Sequence, residues 1–332
     1  MKKRSKKNLV VLTMGDPSGI GIEISVKSWK SKKTKSPFFI IHDPRYVEKV
    51  IKKMGIKVKI KIIDHPKEAL KYYKKYLPVF PIEIDKKTKL GSPNKKNAKS
   101  ILKSINKAVF FVKNGDASSI VTNPISKEIV NKIQKNFKGH TEYLAKKDKQ
   151  KNFCMMMIND QIKVVPLTTH LPLNKVSQSI SGKLIVRISQ LIHRTLKNDF
   201  GISNPKIAIT GLNPHSGDKG VIGQEEKKII IPAIKQCKKR KMNIDGPISA
   251  DSAFIKKNLK SHDAFLCMYH DQALIAAKVI DFEHTVNYTA GLSYVRTSPD
   301  HGTGYDIATK FIANETSLIS AINTSILISK NR

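Results

Sequence analysis

Leu9-Val10-Val11-Leu12-Thr13-Met14-Gly15-Asp16-Pro17-Ser18-Gly19-Ile20-Gly21 is the stretch that decides the fold. A short β-rich run ends in a turn of Gly, Asp, Pro and Ser, and that turn feeds a helix. The same alternation recurs along the chain. Strands are expected at Leu9 to Met14, Phe38 to Ile41, Val58 to Ile63, Ile120 to Thr122, Met155 to Ile158, Val164 to Leu167, Ile207 to Thr210, Ala264 to Met268 and Thr285 to Tyr288. Helical stripes lie between them: Ile101, Leu102, Ile105, Val109 and Val112 in one case, Leu184, Ile185, Ile188, Leu191 and Ile192 in another. The pattern predicts an α/β fold with a largely parallel sheet. The Gly15 to Gly21 turn is neither GxGxxG nor GxxxxGK[ST], so it supports no dinucleotide or P-loop claim by itself. It reads as a strand-to-helix turn whose exposed N–H groups can hold an anion.

The 332 residues allow one large or two medium domains at roughly 100–200 residues each. Cys154, Cys237 and Cys267 are scattered without CxxC spacing, which argues against a disulfide framework or a thiolate zinc site and fits a reducing cytoplasm. No apolar run reaches the ~18 residues of a membrane span, so no membrane association is expected. Basic Lys2 to Lys7 before Leu9 to Met14 resembles the start of a signal peptide, but the apolar stretch is too short for one.

Charge is the unusual property: 61 Lys+Arg against 26 Asp+Glu give +35. Such a balance raises a polyanion partner. The lysines, however, fill surface segments such as Lys49 to Lys61 and Lys146 to Lys151, and are absent from Asn8 to Val26, Ile207 to Asp218 and Thr285 to Thr309. Only seven of the 61 are arginine, and aromatic content is 7%, whereas a nucleic-acid groove combines arginine with interleaved aromatics. The excess reads as a solvated surface with no nucleic-acid role, and the lysine-free segments as the informative ones.

Polar residues follow several expected strands. His170 in Thr-Thr-His-Leu-Pro, His215 in Asn-Pro-His-Ser-Gly-Asp and His270 in Tyr-His-Asp-Gln each come directly after a β-type run. A lone histidine there is more often structural. Three at successive strand ends point instead to one divalent ion, because parallel strands deliver their carboxyl ends to one rim. His140, in Gly-His-Thr-Glu, has a similar setting, while His42, His65, His193, His262 and His284 lack these flanks. Asp251 and Asp271 are candidates to orient a ligating imidazole or accept a proton, and Asp251 reads equally as an early-helix residue behind Ser249. Arg296 is the only Lys or Arg between Thr285 and Thr309, and reads as a fork for phosphate or carboxylate.

Together these segments resemble the 4-hydroxythreonine-4-phosphate dehydrogenase family of vitamin B6 synthesis. The likeness runs through Gly15 to Gly21, Thr122-Asn123-Pro124-Ile125, Gly139 to Ala145, Thr169 to Leu173, Leu212 to Gly217, Gly246 to Phe254, Tyr269 to Gln272 and Asn287 to Asp306. It implies a two-domain isocitrate/isopropylmalate dehydrogenase-like α/β fold with an interdomain cleft. One domain would comprise residues 1–125 plus about 290–332, and the second 126–289 with dimer contacts. It implies NAD or NADP as cofactor, one divalent ion (zinc, magnesium or cobalt), and a homodimer whose active sites lie at the subunit interface. By motif, the metal ligands are His170, His215 and His270, and the substrate is held by His140, Thr141, Lys278, Asn287 and Arg296. The segment Asp300 to Asp306 looks like the cofactor-embracing loop of related decarboxylating dehydrogenases, with His301, Gly302, Thr303 and Asp306 on the nucleotide. Two departures stand out: Ile22 follows Gly21 in place of the usual Pro, and Gly304-Tyr305 replaces a commoner Ala-Phe type pair.

The implied reaction is oxidation of the C3 hydroxyl of 4-phosphooxy-L-threonine, a small phosphorylated amino acid, followed by loss of carbon dioxide to 3-amino-2-oxopropyl phosphate. Asp251, Asp271 and His140 all stand as candidate bases. Competing readings are a relative acting on phosphorylated threonate or erythronate or on a dihydrodiol, and, from the charge, a polyanion-binding protein.

Overall fold

The computed structural model describes residues 8–332, so the basic run Lys2 to Lys7 lies outside the described residues. The chain divides into two compact units. The first runs to Asp148 and resumes over Ser293–Lys330, and the second is Lys149–Leu292 with Asn331–Arg332.

The first unit holds β1 (Val10–Leu12), β2 (Phe38–His42), β3 (Ile60–Ile62), β4 (Leu77–Pro81), β5 (Ser119–Val121) and β12 (Val295–Pro299), in the order β3-β4-β2-β1-β5-β12. Every pairing among them is parallel. β1 sits in the middle, and Val10, Val11 and Leu12 are all buried, as expected for a strand covered on both faces. The helix Ala98–Lys113 realises the first apolar stripe, burying Ile101, Leu102, Ile105 and Val109.

The second unit holds β6 (Cys154–Ile158), β7 (Lys163–Pro166), β8 (Lys206–Thr210), β9 (Asn243–Ile248), β10 (Ala264–Cys267) and β11 (Val286–Ala290), in the order β11-β6-β7-β10-β8-β9. β7, β10, β8 and β9 are mutually parallel, while β6 pairs antiparallel with β7 and β11. The helix Gly182–Asn198 carries the second stripe, and its N-cap Ser181 accepts from the Leu184 N–H at 3.3 Å. No helix among the described residues is long and apolar enough to cross a membrane.

Each expected strand is present within a residue or two of its predicted bounds. β4, β9 and β12 were not expected. Pro78 and Pro81 interrupt β4, Gly246-Pro247 interrupts β9, and Arg296-Thr297-Ser298 makes β12 read as a polar loop.

Residues 126–148, assigned from sequence to the second domain, fall in the first unit. The physical reason is their anchoring to the long helix of that unit. The Tyr143 hydroxyl donates to Asn106 Oδ1 at 2.8 Å, and Lys113 Nζ pairs with Asp148 Oδ1 at 2.9 Å. Asp148 also accepts from the Ser293 N–H and hydroxyl, both at 2.6 Å, which ties the two chain segments of the unit together. Burial alone would raise the Asp148 pKa, but the Ser293 donors and Lys113 outweigh it and hold the carboxyl below its usual value.

Asp148→Asn should therefore cost roughly 1.5–3 kcal/mol at neutral pH, read as a lower urea or thermal midpoint. A carboxyl depressed in the folded state contributes stability above its unfolded pKa and loses it as pH falls through the folded one. The gap between parent and variant should accordingly close on acidification below about pH 4.

Candidate active site

In the second unit, β10 lies parallel between β7 and β8, so the carboxyl ends of all three face one rim. His170 follows β7, His215 follows β8, and His270 opens the helix His270–Ile280 after β10. The His170 and His270 rings lie 5.9 Å apart between centroids. His270 Nδ1 meets Asp271 Oδ1 at 3.0 Å, the carboxylate-to-imidazole contact that fixes a ring and leaves Nε2 to ligate. Asp271 thus has the geometry of an orienting group.

His215 comes from the neighbouring strand end, after β8. Among the described residues no three His, Cys, Asp or Glu side chains gather closely enough to hold one ion. Both His170 (φ 53°) and His215 (φ 52°) adopt left-handed backbone. His215 begins a run in which Ser216, Gly217, Asp218 and Lys219 are left-handed too. Asp251 lies within electrostatic reach of His215. It accepts from the Ser249 hydroxyl at 2.6 Å, and that bond first, then smaller contributions that include His215, holds it below the usual carboxylate range. Ser249 does precede the short helix Ala250–Ala253, but its side chain does not cap that helix.

As a donor set the residues suit a divalent ion: imidazoles from one rim, one already braced by a carboxylate. On the same unit, Lys278 Nζ sits 5.5 Å from the centre of the Phe282 ring. Asn287 lies on β11 with its Oδ1 closed to solvent and without a hydrogen-bond partner, a buried acceptor in want of a donor.

The first unit carries the other predicted residues. Arg296, in the middle of β12, is 2% exposed. Its Nη2 donates to Thr122 Oγ1 at 2.6 Å and its Nε to the same oxygen at 3.2 Å. Parallel pairing of β12 with β5 aligns Arg296 with Ile120 and brings Thr122, just past β5, within reach. Burial lowers the Arg296 pKa to about 10, against the pull of Tyr294 and Glu142, so it stays a cation at neutral pH. His140 opens the helix His140–Lys147, followed by Thr141. Burial first, then the charges of Arg296 and Lys127, holds His140 well below its ordinary pKa, so it is neutral. Its Nε2 is closed to solvent and has no hydrogen-bond partner. A buried cation beside a neutral imidazole can bind an anion through a charge and an uncharged ring nitrogen.

The 301–306 loop packs on the Gly15 to Gly21 turn. The Ile20 N–H donates to the Thr303 carbonyl at 2.9 Å, and a Cβ on Gly19 would stand 2.5 Å from that same oxygen. The Tyr305 hydroxyl donates to Asp16 Oδ2 at 2.8 Å, while Asp16 Oδ1 accepts from the Ser18 N–H at 2.9 Å. Burial raises the Asp16 pKa, opposed by these two donors. His301 Nδ1 contacts the Gly302 carbonyl at 3.1 Å, and its Nε2 is buried without a partner; Gly302 and Asp306 are exposed. Sequence reasoning missed the Asp16–Tyr305 contact, for which no signal exists in a chain where 289 residues separate the two.

Comparison with known proteins gives a consistent result. The family described as "Pyridoxal phosphate biosynthetic protein PdxA" matches residues 33–325. A 4-hydroxythreonine-4-phosphate dehydrogenase of Methylorubrum extorquens is 38% identical over 322 residues, covering 94% of this chain and 92% of that protein. One from Sulfurihydrogenibium sp. is 38% identical over 324 residues, covering 97% and 99%. The crystal structure of 4-hydroxythreonine-4-phosphate dehydrogenase from Klebsiella pneumoniae superposes with a TM-score of 0.88 at 28% identity, covering 97% of this chain and 99% of that one.

Tyr305→Phe should keep the ring and remove only the bond to Asp16. Amide exchange across residues 302–306, followed by mass spectrometry, should quicken on the order of tenfold. Unchanged protection would show that the hydroxyl does not hold the loop.

Proposed function

We propose a function from this premise: the chain belongs to the PdxA family of pyridoxal phosphate biosynthetic proteins. It oxidises 4-phosphooxy-L-threonine to 2-amino-3-oxo-4-phosphooxybutanoate with NAD or NADP and a divalent ion. The product loses carbon dioxide to give 3-amino-2-oxopropyl phosphate, which feeds pyridoxine 5'-phosphate synthesis. The activity named for the relatives supports this reading, and the observation on this chain that carries it is the buried cation Arg296 beside neutral His140.

Arg296 takes the substrate phosphate with its planar fork, and Thr141 and the His140 ring add uncharged contacts. Lys278 and Asn287 hold the carboxylate end and the amino group, Asn287 through its unsatisfied Oδ1. His170, His215 and His270 would hold the ion, with Asp271 bracing His270. When bound, the ion would supply Lewis-acid chemistry that lowers the hydroxyl pKa, and the nicotinamide would be the hydride acceptor for C3. Asp251, Asp271 and His140 are the candidate acceptors of the hydroxyl proton: Asp251 is held ionised by the Ser249 hydroxyl, Asp271 contacts the His270 ring, and His140 is neutral with its Nε2 unpartnered. The resulting β-keto acid breaks its bond to the carboxylate, and the electron pair moves toward the new carbonyl. His301, Gly302, Thr303 and Asp306 receive the nucleotide on a loop fixed to the Gly15 to Gly21 turn.

His215 would reach the ion from a second copy of the chain. Support comes from an apolar face beside His270, where Ile275 is 63%, Val279 81% and Phe282 61% exposed. Mixing His215→Ala with His270→Ala subunits, each inactive alone, should restore part of the activity in verified heterodimers. No restoration would place each site within one chain.

The deciding assay is reduced-nucleotide absorbance with a panel of 4-phosphooxy-threonine, threonate and erythronate phosphates, a dihydrodiol and phosphate-free hydroxythreonine. Loss of the phosphate should cost on the order of 100-fold in kcat/KM, from charge-assisted bonds of about 1.5–3 kcal/mol each. Arg296→Lys should give a similar direction of change. Faster turnover of a sugar-acid phosphate or a dihydrodiol would overturn the assignment.

A further inference from the structure

The left-handed run His215 to Lys219 cannot hold its shape unaided, because four of its five residues carry a Cβ in a region that favours glycine. Something outside it must fix it. The helix that begins at Glu226 supplies a buried carboxylate, 3% exposed. Glu226 Oε1 accepts the Leu212 N–H at 2.7 Å and the Asn213 N–H at 2.8 Å, and Oε2 accepts Asn213 Nδ2 at 2.9 Å. Gly217, inside the run, lies against the same group: a Cβ there would stand 2.6 Å from Glu226 Oε2. The neighbouring Glu225 extends the clamp. Its Oε2 accepts Asn213 Nδ2 at 2.9 Å and its Oε1 accepts the Ser177 hydroxyl at 2.6 Å, from the helix Leu173–Ser179 that follows His170.

Two adjacent carboxylates thus grip the base of the His215 loop and connect it to the segment behind His170. They sit at the start of a π-helical turn, Glu226–Ile230, that passes into the helix Ile231–Lys239. Pro232 lacks the N–H that a regular helix would use there, which accounts for the widened turn.

We propose that Glu226, supported by Glu225, is a positioning residue that sets His215 for metal binding. It touches neither substrate nor ion, and acts through Leu212, Asn213 and Gly217. The proposal rests on the reading of His215 as a metal ligand.

Cobalt(II) is the probe, its binding followed by visible absorption and by competition with a chelator on the full chain. His215→Ala sets the scale of a lost ligand. Glu226→Gln presents an amide NH2 where Asn213 Nδ2 needs an acceptor, and should weaken cobalt(II) binding on the order of tenfold and alter the absorption bands in protein that is folded at the assay temperature, its unfolding midpoint lowered. If Glu226→Gln does not fold, Asn213→Ala removes the amide contact alone and should weaken binding in the same direction. Cobalt(II) affinity lost in His215→Ala but unchanged in folded Glu226→Gln or Asn213→Ala would overturn the clamp and leave the metal reading intact. Unchanged affinity in His215→Ala would overturn the metal reading itself, and the proposal with it.

Discussion

Parallel pairing of β10 with β7 on one side and β8 on the other governs the chemistry of the second unit, since strand direction alone determines which rim receives the loop after each strand. Reversing any one of them would send its histidine to the opposite edge. The antiparallel strands β6 and β11 lie outside this group of three, on the far side of β7. The two histidines that lie in loops, His170 and His215, both take left-handed backbone, whereas His270 starts a helix and is held by Asp271. Each imidazole is therefore constrained by a different device: a single strained residue, a strained run anchored from outside, and a carboxylate brace.

The first unit solves another problem. A guanidinium taken out of water costs several kcal/mol unless its donors and charge are answered. Arg296 stands in the middle of a buried strand, with Thr122 accepting from it and Glu142 and Tyr294 close enough to favour its charge. Such a buried, directed charge differs in kind from the many solvated lysines, whose charge is screened and unspecific. Neutral His140 beside it adds donors or acceptors without a second buried charge.

Much of this was legible from the sequence, and for identifiable reasons. Apolar runs such as Val10–Leu12 and Ala264–Cys267 announce strands because parallel strands are buried on both faces. β9 and β12 were illegible because their residues serve other ends: a Gly-Pro irregularity in one and a buried arginine in the other. Arg296 itself stood out by contrast with its lysine-free neighbours. Glu226 did not, since an acidic residue among lysines in a helical stretch looks like a solvated face, and only folding reveals that it is 3% exposed. The contact between Asp16 and Tyr305 likewise belongs to tertiary structure alone.

The left-handed run at 215–219 also inverts a familiar rule of protein engineering. Elsewhere, replacing a residue by glycine loosens the unfolded chain and costs roughly 0.5–1 kcal/mol. At Ser216, Asp218 and Lys219 the same replacement would relieve left-handed strain of about 1–2 kcal/mol per residue and so come out neutral or favourable for stability. Selection for thermal robustness alone would accept glycines here and give up the rigidity of the loop that carries His215. The non-glycine residues in this run are thus a place where the chain has kept shape at the expense of stability.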